Sequence, residues 1–206
     1  MKIVTAPEVY NKQSDQISVF LAGGITNCPE WQNEVIRKLE DFDLQNLVVY
    51  NPRQEHFDIT DPNGSYKQIS WEYQYLESMD IFSMYFSDGN SDQPICMYEL
   101  GRNIVRMQNR FPNDWKERIV ITCENGYKRK MDVHIQTLLA TQDVIVYNSL
   151  DKHISAIQRC YKNLVFKLPK ITAVPAPEFN ISLEKRILVK PDGTIEKFGY
   201  TENQED

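Results

Sequence analysis

A chain of 206 residues with 41% hydrophobic content is long enough to bury one full core, so one domain with an appendage is expected rather than two. The formal net charge of −6 argues against nucleic acid as a partner, since the tight basic cluster Lys128-Arg129-Lys130 stands alone; a small molecule fits better. No apolar run approaches the roughly 18 residues of a membrane span, and the N-terminus lacks the charged-then-apolar layout of a signal peptide, so a cytoplasmic protein with no membrane partner is expected.

In chain order, the run Ile17-Ser18-Val19-Phe20-Leu21-Ala22 reads as a strand, followed by Gly23-Gly24 and a helical pattern containing Trp31, Val35, Ile36 and Leu39. A second strand, Leu47 to Tyr50, stops at Asn51-Pro52 because proline cannot continue a ladder. A long loop runs to Gln68. Ile69 to Ser78 then reads as a helix and Asp80 to Phe86 as a third strand. Leu100, Ile104, Val105 and Met107 mark the next helix, Arg118 to Thr122 strand four, Val133 to Ala140 a short helix, Asp143 to Tyr147 strand five, and Ile154 to Phe166 a closing helix. Five strands alternating with helices predict an α/β fold, a parallel sheet covered on both faces with the flavodoxin-like order 2-1-3-4-5. This domain is expected to span residues 1–168.

Beyond Leu168 the pattern changes. Pro169, Pro175 and Pro177 predict an extended segment, and Lys190-Pro191-Asp192-Gly193-Thr194, flanked by Ile187-Leu188-Val189 and Ile195 to Phe198, predicts a β-hairpin within a C-terminal extension over 169–206. The acidic end, Glu202 to Asp206, is expected to be disordered.

Several chemistries are excluded by what is missing. The four cysteines form no CxxC pair and, with His56, His134 and His153 scattered, supply no zinc-ligand spacing, so free thiols and no metal are expected. There is no GxGxxG, no GxxxxGK[ST] and no GxSxG, and no cofactor is implied. Three polar loops remain at the carboxyl edge of the sheet, where open α/β sheets bind ligands: Gly23-Gly24-Ile25-Thr26-Asn27, Asn51-Pro52-Arg53, and Ser87 to Glu99. Glu99 is expected at the entrance to a helix, where exposed N–H groups and the helix dipole favour the ionised carboxylate and suit a nucleophile. Trp71 and Glu72 are expected to face the same edge, and Trp71 or Tyr98 would stack on a flat ring. Each has a plainer alternative: Gly23-Gly24 only turns the chain, Trp71 sits in the core, Arg53 makes a surface pair.

The ordered set Val19 to Ile25, Trp31, Tyr50-Asn51-Pro52-Arg53, Ile69-Ser70-Trp71-Glu72, Met79-Asp80-Ile81 and Tyr98-Glu99-Leu100-Gly101-Arg102 resembles the nucleoside 2-deoxyribosyltransferase-like proteins. The resemblance covers roughly residues 1 to 150. It implies a glutamate that attacks C1′ of a nucleoside, expels the base and forms a covalent sugar ester, which a second base or water resolves. Glu99 matches that nucleophile, Glu72 an acidic position that contacts the base, and Gly23 and Gly24 the first ligand-binding loop. The family's sugar-binding Asp has no clean match: Gln93 stands at its spacing and Asp92 one residue off. Asp132 falls near a position where a neighbouring subunit completes the pocket, which implies a homo-oligomer.

Three readings follow. The first is transfer or hydrolysis of a (deoxy)nucleoside glycosidic bond, with a nucleoside and a free base as partners. The second is an N-glycosidase of a nucleoside 5′-monophosphate, with Arg53 on the phosphate. The third is a non-catalytic binder of nucleotide-derived ligands. For transfer, residues around Tyr127 and Asp132 are expected to reach across from a neighbouring subunit and close the site to water.

Overall fold

Parallel strands covered on both faces carry unbroken apolar runs, because neither face meets water. The computed structural model describes residues 1–89 and 91–167, with the backbone of short strands at 180–182, 187–189 and 195–197. Its elements are β1 (Lys2–Thr5), β2 (Ile17–Gly23), α1 (Trp31–Glu40), β3 (Leu47–Asn51), α2 (Gly64–Ser78), β4 (Ile81–Phe86), α3 (Pro94–Arg110), β5 (Ile119–Cys123), α4 (Lys130–Thr141), β6 (Val146–Tyr147) and α5 (Leu150–Lys167). Every residue of β3, β4 and β5 is buried, and in β2 all but Gly23.

The α/β fold with a parallel sheet is as expected, but the sheet has six strands rather than five, in the order β1-β3-β2-β4-β5-β6. The difference from the 2-1-3-4-5 expectation is β1, an edge strand paired only with β3. It is four residues long with Val4 alone buried, too short and too exposed to announce itself by pattern. At the opposite edge, β6 keeps only Val146 and Tyr147 of the expected strand, since Asp143 pairs with Lys116 at the surface and Ile145 is exposed.

Alternation along each strand divides the core into two layers. Phe20, Ala22, Phe82, Met84 and Phe86 pack with Tyr75, Leu76, Leu100 and Ile104 beneath α2 and α3. Ile17, Val19, Leu21, Ile81 and Tyr85 pack with Val35, Leu39, Ile157 and Leu164 beneath α1 and α5. Helix α2 starts five residues earlier than its apolar pattern implied. Asp61 accepts from the Asn63 and Gly64 amides and so orders the turn that starts it.

The chain divides into two units, Met1–Ala173 and Val174–Asp206. In the second, β8 (Ile187–Val189) and β9 (Ile195–Lys197) pair antiparallel with Val189 opposite Ile195, as a hairpin requires, and the backbone of β7 (Asn180–Ser182) adds a third strand beside β8. The turn 190–194, the proline segment and the acidic end lie outside the described residues.

Candidate active site

The chain leaves β4 at Ser87 and enters α3 through Gln93, which adopts a left-handed conformation (φ 47°, ψ 49°) directly before Pro94. Proline at the first helical position costs nothing there, because its missing N–H would have had no helical partner. The Gln93 side chain is turned inward: Nε2 donates to the Ser87 carbonyl at 3.0 Å, while Oε1 is buried without a hydrogen-bond partner. Opposite it lies the glycine pair. Gly23 has φ +151°, and a Cβ on it would stand 2.3 Å from the Tyr85 carbonyl oxygen; one on Gly24 would stand 2.7 Å from Gln93 Oε1. Gly23 therefore turns the chain past Tyr85, and Gly24 holds open the space beside Gln93.

That space is one of two adjoining chambers. The smaller, about 220 Å³, is lined by Gly23, Gly24, Ser91, Gln93 and the first turn of α3. The larger, about 570 Å³, runs between α2 and α3 past Gln54, Phe57, Ile69, Tyr73, Tyr98 and Arg102. Ile25, Thr26, Pro52, Ile95, Glu72 and Glu99 line both, so the two carboxylates stand where the chambers meet.

Glu72 is positioned by a relay of amides. Gln54 donates to Gln68 Oε1, and Gln68 Nε2 donates to Glu72 Oε1 and to the Pro52 carbonyl, each at 2.7 Å. Burial raises the Glu72 pKa, against the lowering effects of the Gln68 hydrogen bond and of Arg102. Glu99 is pushed up to about 7, first by burial and then by the charge of Glu72, with Arg102 opposing. This corrects the expectation that helix N–H groups favour an ionised Glu99. It is the sixth residue of α3, past the N-terminal turn, where burial and a like charge outweigh the dipole.

Gly23, Gly24, Ile25, Glu72, Tyr98 and Glu99 are thus brought together. The other expected residues are not. Trp71 is buried in the layer beneath α2, with Nε1 donating to the Glu8 carbonyl at 2.7 Å and its ring 4.5 Å from that of Tyr75, so it offers no face to a ligand. Arg53 staples the first loop: Nε donates to Gln32 Oε1 at 2.9 Å and Nη2 to the carbonyls of Ile25 (3.1 Å) and Pro29 (2.8 Å), and it lines neither chamber. Asp92 is exposed and paired with Lys128 at 2.5 Å, whereas Gln93 lines the smaller chamber. Asp132 pairs with Arg129 at 2.7 Å on α4 and lines neither chamber. Tyr127 is buried within its own chain, with its hydroxyl donating to the Asp92 carbonyl at 2.8 Å.

Sequence reasoning passed over Arg102, Gln68 and Tyr73. Arg102 lies three residues beyond Glu99 and Gln68 four before Glu72, spacings that put each on the carboxylate's own helix face. That spacing was the signal available. Among the described residues no cluster of His, Cys, Asp and Glu is arranged to hold a metal ion, and no helix is long and apolar enough to cross a membrane.

The sequence model of a family described as nucleoside 2-deoxyribosyltransferase like matches residues 16–111. That stretch runs from the start of β2 to the end of α3 and contains the glycine pair and both carboxylates. No curated protein matches the chain.

Proposed function

We propose, from the match of residues 16–111 to the nucleoside 2-deoxyribosyltransferase-like family model and from the paired carboxylates, that the protein breaks the N-glycosidic bond of a nucleoside in two displacements. A carboxylate oxygen of Glu99 bonds to C1′ as the bond to the base nitrogen breaks, and the electron pair leaves with the base. Glu72 passes a proton to that base. A second base nitrogen or a water, either of them giving its proton to Glu72, then attacks C1′, breaks the ester and restores the Glu99 carboxylate. Two displacements at one carbon retain its configuration.

The observation that carries this reading is that Glu72 and Glu99 both line both chambers, with burial raising both carboxyls and the charge of Glu72 raising Glu99 further, so that the pair holds a proton near neutral pH. A nucleophile and a proton donor are then available at one pH. The nucleotide reading finds no support in the smaller chamber, whose described lining residues include no cation.

The test is incubation with nucleosides and nucleoside 5′-monophosphates, with and without an added free base, followed by chromatography of released and exchanged bases. Wild-type protein is expected to release or exchange base from nucleosides, and Glu99→Ala to lose about 10³-fold or more of that rate while remaining folded. Intact-mass spectrometry of quenched enzyme should find a sugar adduct on Glu99. Near-normal turnover in Glu99→Ala overturns the mechanism.

A further inference from the structure

Arg102 is the cation of the larger chamber, and its environment is unusual for one. Its guanidinium carbon lies 5.3 Å from the ring centre of Tyr73 and 5.4 Å from that of Tyr98. Its Nε is buried with no hydrogen-bond partner, and it forms no ion pair among the described residues. An arginine fixed between two aromatic rings, with a donor unmet, is prepared for an acceptor that the protein does not itself supply.

The two chambers differ in kind. The smaller offers the Gly24 backbone, Ser91 and the unpartnered Gln93 Oε1, which suit sugar hydroxyls. The larger offers Tyr73, Tyr98, Ile69 and Phe57, which suit a flat ring. Glu99 stands between them, and three residues of α3 rise only ~4.5 Å from it to Arg102, comparable to the breadth of a purine. With C1′ at Glu99, a purine lying along α3 would turn its O6 and N7 edge toward the guanidinium.

Resting on the glycosidic reading above, we propose that Arg102 selects 6-oxopurines, hypoxanthine and guanine, over adenine. A 6-oxopurine presents O6 and N7 side by side as acceptors, which a guanidinium meets with two parallel N–H donors; adenine replaces O6 with an N6–H donor, which arginine cannot accept. The same fork helps departure, because the electron pair freed from C1′ spreads through the ring toward O6 and N7.

The test reads binding and turnover separately. Titration calorimetry of hypoxanthine and adenine on wild-type protein should show hypoxanthine bound about 10- to 100-fold more tightly. That preference should collapse in Arg102→Met and also in Arg102→Lys, which keeps the charge but not the planar fork. The ratio of kcat/KM for 2′-deoxyinosine over 2′-deoxyadenosine should fall in step. A general electrostatic role would lower both substrates together and would be rescued by lysine. Absence of a hypoxanthine preference in wild type, or its persistence in both variants, overturns the proposal. So does an Arg102-dependent gain for nucleoside 5′-monophosphates over nucleosides, which would put a phosphate on this arginine. Selective base binding without base release from any nucleoside would instead sink the glycosidic reading and leave the selectivity standing.

Discussion

Glu99→Gln is expected to stabilise the protein while removing its activity, and the gain should grow with pH. An unfolded glutamate titrates near 4.5, and folded Glu99 near 7. Below 4.5 both states are protonated and the folded state carries no penalty. As pH rises through 7 the folded carboxylate is forced to ionise in a site that disfavours it, so stability is lost over that window. The full difference is worth about 3 kcal/mol, of which less than about 1 kcal/mol is already present at pH 5. Glutamine is neutral and nearly the same shape, so the variant should gain about 2 to 3 kcal/mol over wild type between pH 5 and pH 8. Urea melts of both proteins at the two pH values measure it; titrating groups other than the coupled Glu72 cancel in the difference. A gain that is equal at both pH values, or a variant less stable at pH 8, would refute the claim that this carboxylate is held against its preference.

Glu72→Gln removes the negative charge that helps raise Glu99, so Glu99 should titrate at lower pH than in the wild type, and base preference should change because an amide donates as well as accepts. Unchanged kinetics on every base would remove Glu72 from the site. His153, buried between Ser83 Oγ (2.8 Å) and Thr122 Oγ1 (2.9 Å), is held down to about 3 by burial. Its contribution to stability is complete above 6.5 and lost as pH falls through 6.5 toward 3, about 2 kcal/mol of it by pH 5; an imidazole NMR signal that titrates near 6.5 in the folded protein contradicts this. A homo-oligomer is still expected, but through α4, where Met131, Ile135, Leu138 and Leu139 form an exposed apolar stripe at helical spacing. Light scattering should show at least a dimer, and Leu138→Glu with Leu139→Glu a monomer; a wild-type monomer at micromolar concentration refutes it.

What could be read ahead of the structure depended on how local its cause was. The continuous apolar runs of β2, β3 and β4 follow from burial on both faces and were legible as strands; β1, half exposed and paired on one side, was not. Glu99 and Glu72 were legible because each sits in a distinctive run of residues. Trp71 was misplaced for a geometric reason. Adjacent residues on a helix point about 100° apart, so Trp71 and Glu72 cannot both face one cleft. Glu72 shares its face with Gln68 and Ile69 above the chamber, and Trp71 shares its own with Tyr75 in the core.

Charge partners were harder still, because a long side chain goes to whatever acceptor its neighbours leave bare. Arg53 stands after β3 where a phosphate ligand is expected, yet the loop 25–29 bends its carbonyls toward Nη2 and draws the side chain to itself. Arg102 stands on a helix whose outward carbonyls are already bonded, between two rings that hold it without accepting a hydrogen bond, and so it keeps its charge for the chamber. That balance sums contributions from α2, α3 and the glycine loop, three segments that no single window of sequence contains. It also decides how much of Glu99's burial is offset. The arginine that recognises a base would then be the same one that keeps the nucleophile within reach of neutral pH, so its replacement by methionine should raise the pH at which Glu99 ionises, opposite in sign to Glu72→Gln.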